Sequence, residues 1–331
     1  DSHPFGVWRR FVTPAPPSQM KPPLFSRVVR VTTPFLVSVL TLATVATAAE
    51  TKSFELNPDR IKVVDPKGLA AQTYFVPGVN LVISCSGSVW AQSKKGGANA
   101  QAHGKFYVQG LDKSLVQELA RKVQDDFVAK LRATGATVLT YDDLKSDPLV
   151  AGHGRRTADA KWNLPTRSKD PLTYIIATPT DAQAFEPGLA ASAAFWLHAM
   201  AKEKKLIVLL PEITFTVPQM WGEVDAGYKR DSAGIAVNST MLLQAAAIYV
   251  DNPQGSFTNI QIQTHGKRPA AEVTGTIKKL SEDKTQFSSS WGRSSSDWLM
   301  TLDPTAFSDG VLQASYAINT YVADQVKKVR K

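Results

Sequence analysis

The chain has 331 residues, 43 % of them hydrophobic, with 38 Lys and Arg against 29 Asp and Glu, a net charge of +9. A chain of this length suits one large domain or two modest ones and can bury a real core without disulfides. Its bases are dispersed in pairs such as Lys94-Lys95, Arg155-Arg156 and Lys204-Lys205, with no concentrated stripe, which argues against a nucleic-acid partner.

In chain order, residues 1–19 contain Pro14, Pro16 and Pro17 and no periodic pattern, and are expected to be sequence upstream of a start at Met20. Residues 20–48 then carry a positive front end (Lys21, Arg27, Arg30), an uncharged run from Pro34 to Ala46, and the small-x-small pattern Ala46-Thr47-Ala48. This is the layout of a secretory signal peptide. The apolar run is too short for a membrane-spanning helix, which needs roughly 20 residues. Export to the periplasm is therefore expected, with full secretion to the extracellular space as the alternative. Setting residues 1–48 aside removes Arg9, Arg10, Lys21, Arg27, Arg30 and Asp1 and leaves 33 bases against 28 acids, or +5. Cys85 is the single cysteine, so no intramolecular disulfide forms in an oxidising compartment and stability must come from burial.

Residues 49–77 are expected to form an extended lead-in, and residues 78–331 a single α/β domain. Residues 78–91, with "NLVISCSGSVW", are the first strong strand, and Cys85 acts there as a small hydrophobe. "KKGGANAQAHG" (94–104) reads as a loop. Leu115, Leu119, Val123, Phe127 and Leu131 recur every four residues and predict a helix over 113–134. Asp112 or Ser114 is placed to cap it, and Gly135 to end it. A short strand follows at 136–141.

Residues 145–170 read as a polar excursion, 172–179 as a buried strand, and 188–204 as a helix. A second apolar strand spans 205–217, where Pro211 predicts a break, a bulge or an edge. Asp251-Asn252-Pro253-Gln254-Gly255 forms the turn of a hairpin. "SEDKTQFSSSWGRSSSDW" (281–298) reads as a serine-rich exposed loop. A final helix begins at Asp303-Pro304 or Ser308-Asp309 and ends in cations. The fold class expected is α/β or α+β, a mixed β-sheet packed by amphipathic helices with long polar loop excursions. No pair of long alternating strands stands out, so a membrane pore is not expected, and no transmembrane helix is expected after residue 48.

Catalytic chemistry finds little support. His103, His153, His198 and His265 form no metal-ligand spacing, and no nucleophile elbow or phosphate-cradling loop occurs, so no metal, cofactor or catalytic residue is assigned. His198 reads as a packed or capping histidine. Asp125-Asp126 point apart on a helix, and Asp142-Asp143 read as caps. Trp291, Arg293 and Trp298 lie in a polar segment, and exposed tryptophan beside arginine suits a protein or carbohydrate contact. Trp221 reads as a core or sheet-rim residue. The alternative site is a ligand-binding or hydrolytic cleft between 145–170 and the sheet, lined by His153, Arg155 and Arg156 with an acidic group.

The order of elements, with Gly135-Ala136-Thr137-Val138-Leu139 after a helix and Val250-Asp251-Asn252-Pro253-Gln254-Gly255 before the last one, resembles the periplasmic domain of the curli-secretion-channel lipoprotein family and related bacterial envelope proteins. The lipid-bearing cysteine that this family places directly after its signal is absent here, and the loops are longer. The resemblance implies an accessory or scaffold role in the envelope, with envelope or export-system proteins, or further copies of the chain, as partners.

Overall fold

The computed structural model describes residues 54–330 apart from 65, 94–98, 152–156, 170, 186–191, 227–230, 255–256, 264–268 and 289–290. Lys52–Lys331 forms one compact unit. Its first half holds β1 (Ile61–Val63), β2 (Thr73–Val76), β3 (Asn80–Ser93), β4 (Asn99–Gln109), α1 (Lys113–Ala133), β5 (Thr137–Thr140), α2 (Tyr141–Leu144), α3 (Pro148–Ala151), β6 (Ala158–Asp159), β7 (Leu164–Lys169) and β8 (Leu172–Ala177). The second half holds α4 (Ser192–Lys204), β9 (Ile207–Thr216), β10 (Gln219–Ala226), β11 (Asp231–Asn238), β12 (Met241–Asp251), β13 (Phe257–Gln263), β14 (Pro269–Ala271), β15 (Gly275–Ser288), β16 (Trp291–Leu302) and α5 (Pro304–Arg330). The fold is a mixed sheet packed by helices, as its class predicts.

The apolar run of β9 sits at the centre. One edge pairs antiparallel with β12, and the other pairs in parallel first with β2 and then with β3. Pro211 neither breaks nor bulges the strand, contrary to expectation. It falls between Val208, the last partner of β2, and Glu212, the first partner of β3, where a missing N–H costs that edge no ladder bond. Past β9, the long β3 continues beside β4, and β4, β16 and β15 complete a four-stranded blade. The Ser84 hydroxyl turns the chain out of β9 here, accepting from Val217 N at 2.8 Å and donating to Val217 O at 2.7 Å.

One face of the sheet carries α1 and α5. The predicted stripe of α1 is buried at Leu119, Val123, Phe127 and Leu131, with Leu115 at the rim, and it meets Val311, Ile318, Val322 and Val326 of α5. Each such side chain contributes about 1.5–3 kcal/mol gross. Buried Asn319 ties the helices together, donating to Val123 O at 3.0 Å and to Asp126 Oδ2 at 2.8 Å. Gly135 ends α1 at φ 83°, a left-handed position that glycine adopts without strain. Asp303, not Ser308, caps α5, accepting from the N–H groups of Thr305 and Ala306. Asp112 caps the α1 backbone without a side-chain bond, whereas Thr140 and Asp143 form a capping box on α2. The opposite face of the sheet is covered in part by α4 and α3, over Phe75, Val208 and Leu210.

Three segments differ from their sequence reading. The expected lead-in is part of the sheet, because fully buried Tyr74, Phe75 and Val76 lie behind a polar approach. Asn99–Gly104 is strand, and 281–298 belongs to the hairpin β15–β16. These strands are long, 14, 11, 14 and 12 residues for β3, β4, β15 and β16. Their small and polar residues hid them, since β propensity reports packing opportunity more than an intrinsic backbone preference. β15 is an edge strand protected by two register shifts and by Lys278, Lys279 and Lys284. The hairpin β12–β13 forms as expected.

The ribbon β10–β11 packs on one face of the blade, over Ala91, Ala102 and Phe106. A Cβ at Gly104 would lie 2.7 Å from Ile235 Cγ2, so glycine sets the closeness of this contact. Gly104→Val is expected to destabilise the fold by about 1–3 kcal/mol through overpacking. The check is a lowered urea midpoint; an unchanged midpoint would mean that the ribbon does not bear on the blade.

Candidate functional site

The blade has two unlike faces because its strands alternate. Ala100, Ala102, Phe106 and Val108 of β4 share the face that the ribbon covers in part and are buried, Phe106 and Val108 within the main core. Gln101 and His103 share the other face with Trp90 of β3 and with Arg293 and Ser295 of β16, through the pairs Trp90↔His103, Gln101↔Arg293 and His103↔Ser295. There the Trp90 ring is 58 % exposed and lies 5.8 Å from the His103 ring, tilted by 48°. Trp90, Gln101, His103, Asp283, Arg293 and Ser295 line an open depression of about 300 Å³. An indole, an imidazole, a guanidinium and a carboxylate thus share one solvent-facing sheet surface. That combination suits macromolecular contact, in which large rigid rings and arginine supply most of the energy.

The structure splits the trio read from the sequence. Trp291 and Arg293 stand on strand positions of the same parity, and the side chain of Trp291 lies outside the described residues. Trp298 has the opposite parity and turns back on the core. Its Nε1 donates to Ser296 Oγ at 2.9 Å, and Lys279 Nζ sits 4.8 Å from its ring centroid. Arg293 is joined instead by Trp90 and His103, which sequence reasoning had placed in a buried strand and a glycine loop. The alternation of "SVWAQ" and "AQAHG" was the available signal. Trp221 is 41 % exposed on the two-stranded ribbon, with Nε1 donating to Glu223 Oε1 at 3.2 Å, and so lies outside the core.

A second cavity, of about 390 Å³, opens on the face of the sheet shared with α4, beyond the helix. It is lined by Arg167 and Lys169 of β7, Tyr174 of β8, Glu212 and Thr214 of β9, and Gln244 of β12, among others. Arg167 NH1 donates to Glu212 Oε1 at 2.9 Å, and the two side chains are 37 % and 8 % exposed. This places a cavity with an arginine and an acid beside the 145–170 segment, though His153, Arg155 and Arg156 lie outside the described residues. Sequence reasoning missed Arg167 and Glu212 because they are 45 residues apart and meet only through sheet pairing.

Among the described residues no cluster of three or more His, Cys, Asp or Glu is placed to hold a metal ion. No helix of the described residues is long and apolar enough to cross a membrane. Burial pushes the Cys85 thiol up to about 11, so it stays protonated and inert. No family model, curated protein or solved structure matches this chain.

Burial also lifts the carboxyl of Asp251 to about 6, with His198 of α4 pulling it back down. An unfolded aspartate titrates near about 3.9. The folded state therefore holds a proton that the unfolded state has released between these values. Stability is highest below the window, falls as pH rises through it, and stays lower at neutral pH. Asp251→Asn is expected to flatten that decline and raise Tm at neutral pH, checked by thermal unfolding from about pH 4 to about pH 7. A variant that keeps the wild-type slope would show that Asp251 is not its source.

Proposed function

We propose that this chain is an exported protein of the bacterial envelope that acts by protein–protein contact and not by catalysis. The observation that carries the reading is the exposed Trp90 ring set against His103, with Arg293 in the same depression on the open face of the blade. The free face of a stiff four-stranded blade holds such side chains in fixed positions at low entropic cost to a partner. The leader-like layout of residues 20–48 supports export, and the resemblance of the element order to that of the curli-channel lipoprotein family supports the envelope as the place of work. The partners proposed are envelope or export-system proteins, further copies of the chain among them.

The surface predicts its own knockout. Trp90→Ala with Arg293→Ala removes ring and guanidinium from a solvent-facing surface and leaves the core intact. Pull-downs from cross-linked envelope fractions are expected to lose the partners that wild-type protein retains, with unchanged circular dichroism. Retention of every partner at wild-type levels would remove this surface from the reading.

A further inference from the structure

We propose that the cavity bordered by Arg167 and Glu212 binds a small, neutral, polyhydroxylated molecule of about monosaccharide size, held by one hydroxyl that donates to Glu212 Oε2 and a second that accepts from Arg167 Nε. Neither atom has a hydrogen-bond partner among the described residues, although both are buried. Leaving a buried acceptor of a charged carboxylate unmet costs free energy, so the position calls for a donor from outside the chain. Neighbouring hydroxyls of one molecule answer both needs, one donating to the carboxylate oxygen and another accepting from the guanidinium N–H.

Charge decides the ligand class. The part-buried Arg167–Glu212 pair, joined at 2.9 Å, neutralises itself, the further cation Lys169 of the lining is exposed to solvent, and a neutral polar group leaves the balance of the pair undisturbed. The rest of the wall is built for hydroxyl recognition. Gln244 is the extra residue of a β-bulge, for Leu243 pairs with Phe215 and Ala245 with Thr214. Bulges of this kind re-aim a side chain and recur beside binding sites. The Oε1 of Gln244 accepts from Tyr174 OH at 2.8 Å and from Thr216 Oγ1 at 2.6 Å, which fixes the amide and leaves its NH2 as a donor. Ala245 and Ala247 keep the β12 wall low, and larger side chains there would fill the space. The volume falls at the small end of known small-molecule pockets, about 300–1,000 Å³. This site lies on a different part of the sheet from the Trp90 surface and stands whether or not that surface binds a protein.

Saturation-transfer NMR on the full chain, with glucose, N-acetylglucosamine and myo-inositol as separate probes, tests the inference. At least one probe is expected to receive saturation from the wild-type protein, with affinity lowered about tenfold or more in Glu212→Gln. Ala247→Leu, which fills the cavity and keeps both charged residues, is expected to abolish transfer while retaining the wild-type Tm, and it decides the matter should Glu212→Gln fail to fold. No transfer to any of the three probes would overturn the proposal, because water then suffices to satisfy the pair. Transfer of equal strength to Ala247→Leu would overturn it as well, by placing the binding elsewhere.

Discussion

Everything in this chain is arranged around the need to bury β9. Its residues from Ile207 to Phe215 are buried, so both faces and both edges must be covered. Ile207, Leu209, Ile213 and Phe215 belong to the core shared with α1 and α5, and Val208 and Leu210 to the smaller one beneath α4. The edges are taken by β12 and by β2 and β3 in succession. Glu212 is the charged exception within that run. A carboxylate so placed requires a partner, and Arg167 reaches it from β7 through the antiparallel order β3–β8–β7. The polar cavity is thus a consequence of where the helical cover on that face stops.

The blade follows from a second constraint, the excess length of β3. Its first residues serve β9, and its last eight pair with β4 instead. A sheet extended in this way needs one dry face, which the ribbon β10–β11 provides by close approach at Gly104 and Gly222. The remaining face is left to solvent, and the period-two alternation of β3, β4 and β16 sends Trp90, His103 and Arg293 there together. Contact chemistry on the outside and glycine on the inside are two sides of one structural choice.

Legibility in the sequence tracked how local the signal was. The four-residue recurrence from Leu115 to Leu131, the cap at Asp303, Gly135 and the turn after Asp251 were all readable, because each arises from neighbours within a turn or two. The strands of β4, β15 and β16 were not, since Ala, Gly, Ser and Lys carry little strand preference until another strand lies beside them. Arg293 was found as a contact residue but with the wrong company. Its neighbours come from β3 and β4, about two hundred residues earlier, and Trp298 is excluded by strand parity alone.

By itself the sequence determined the mixed α/β class, the two amphipathic core helices and the buried central strands, since these rest on periodicity and apolar content. The tertiary structure decided which polar residues meet: Trp90 with His103 and Arg293, Arg167 with Glu212, Gln244 with Tyr174. These pairings depend on register across strands distant in the chain. A shift of one residue would turn each side chain to the opposite face, and no local pattern records that register.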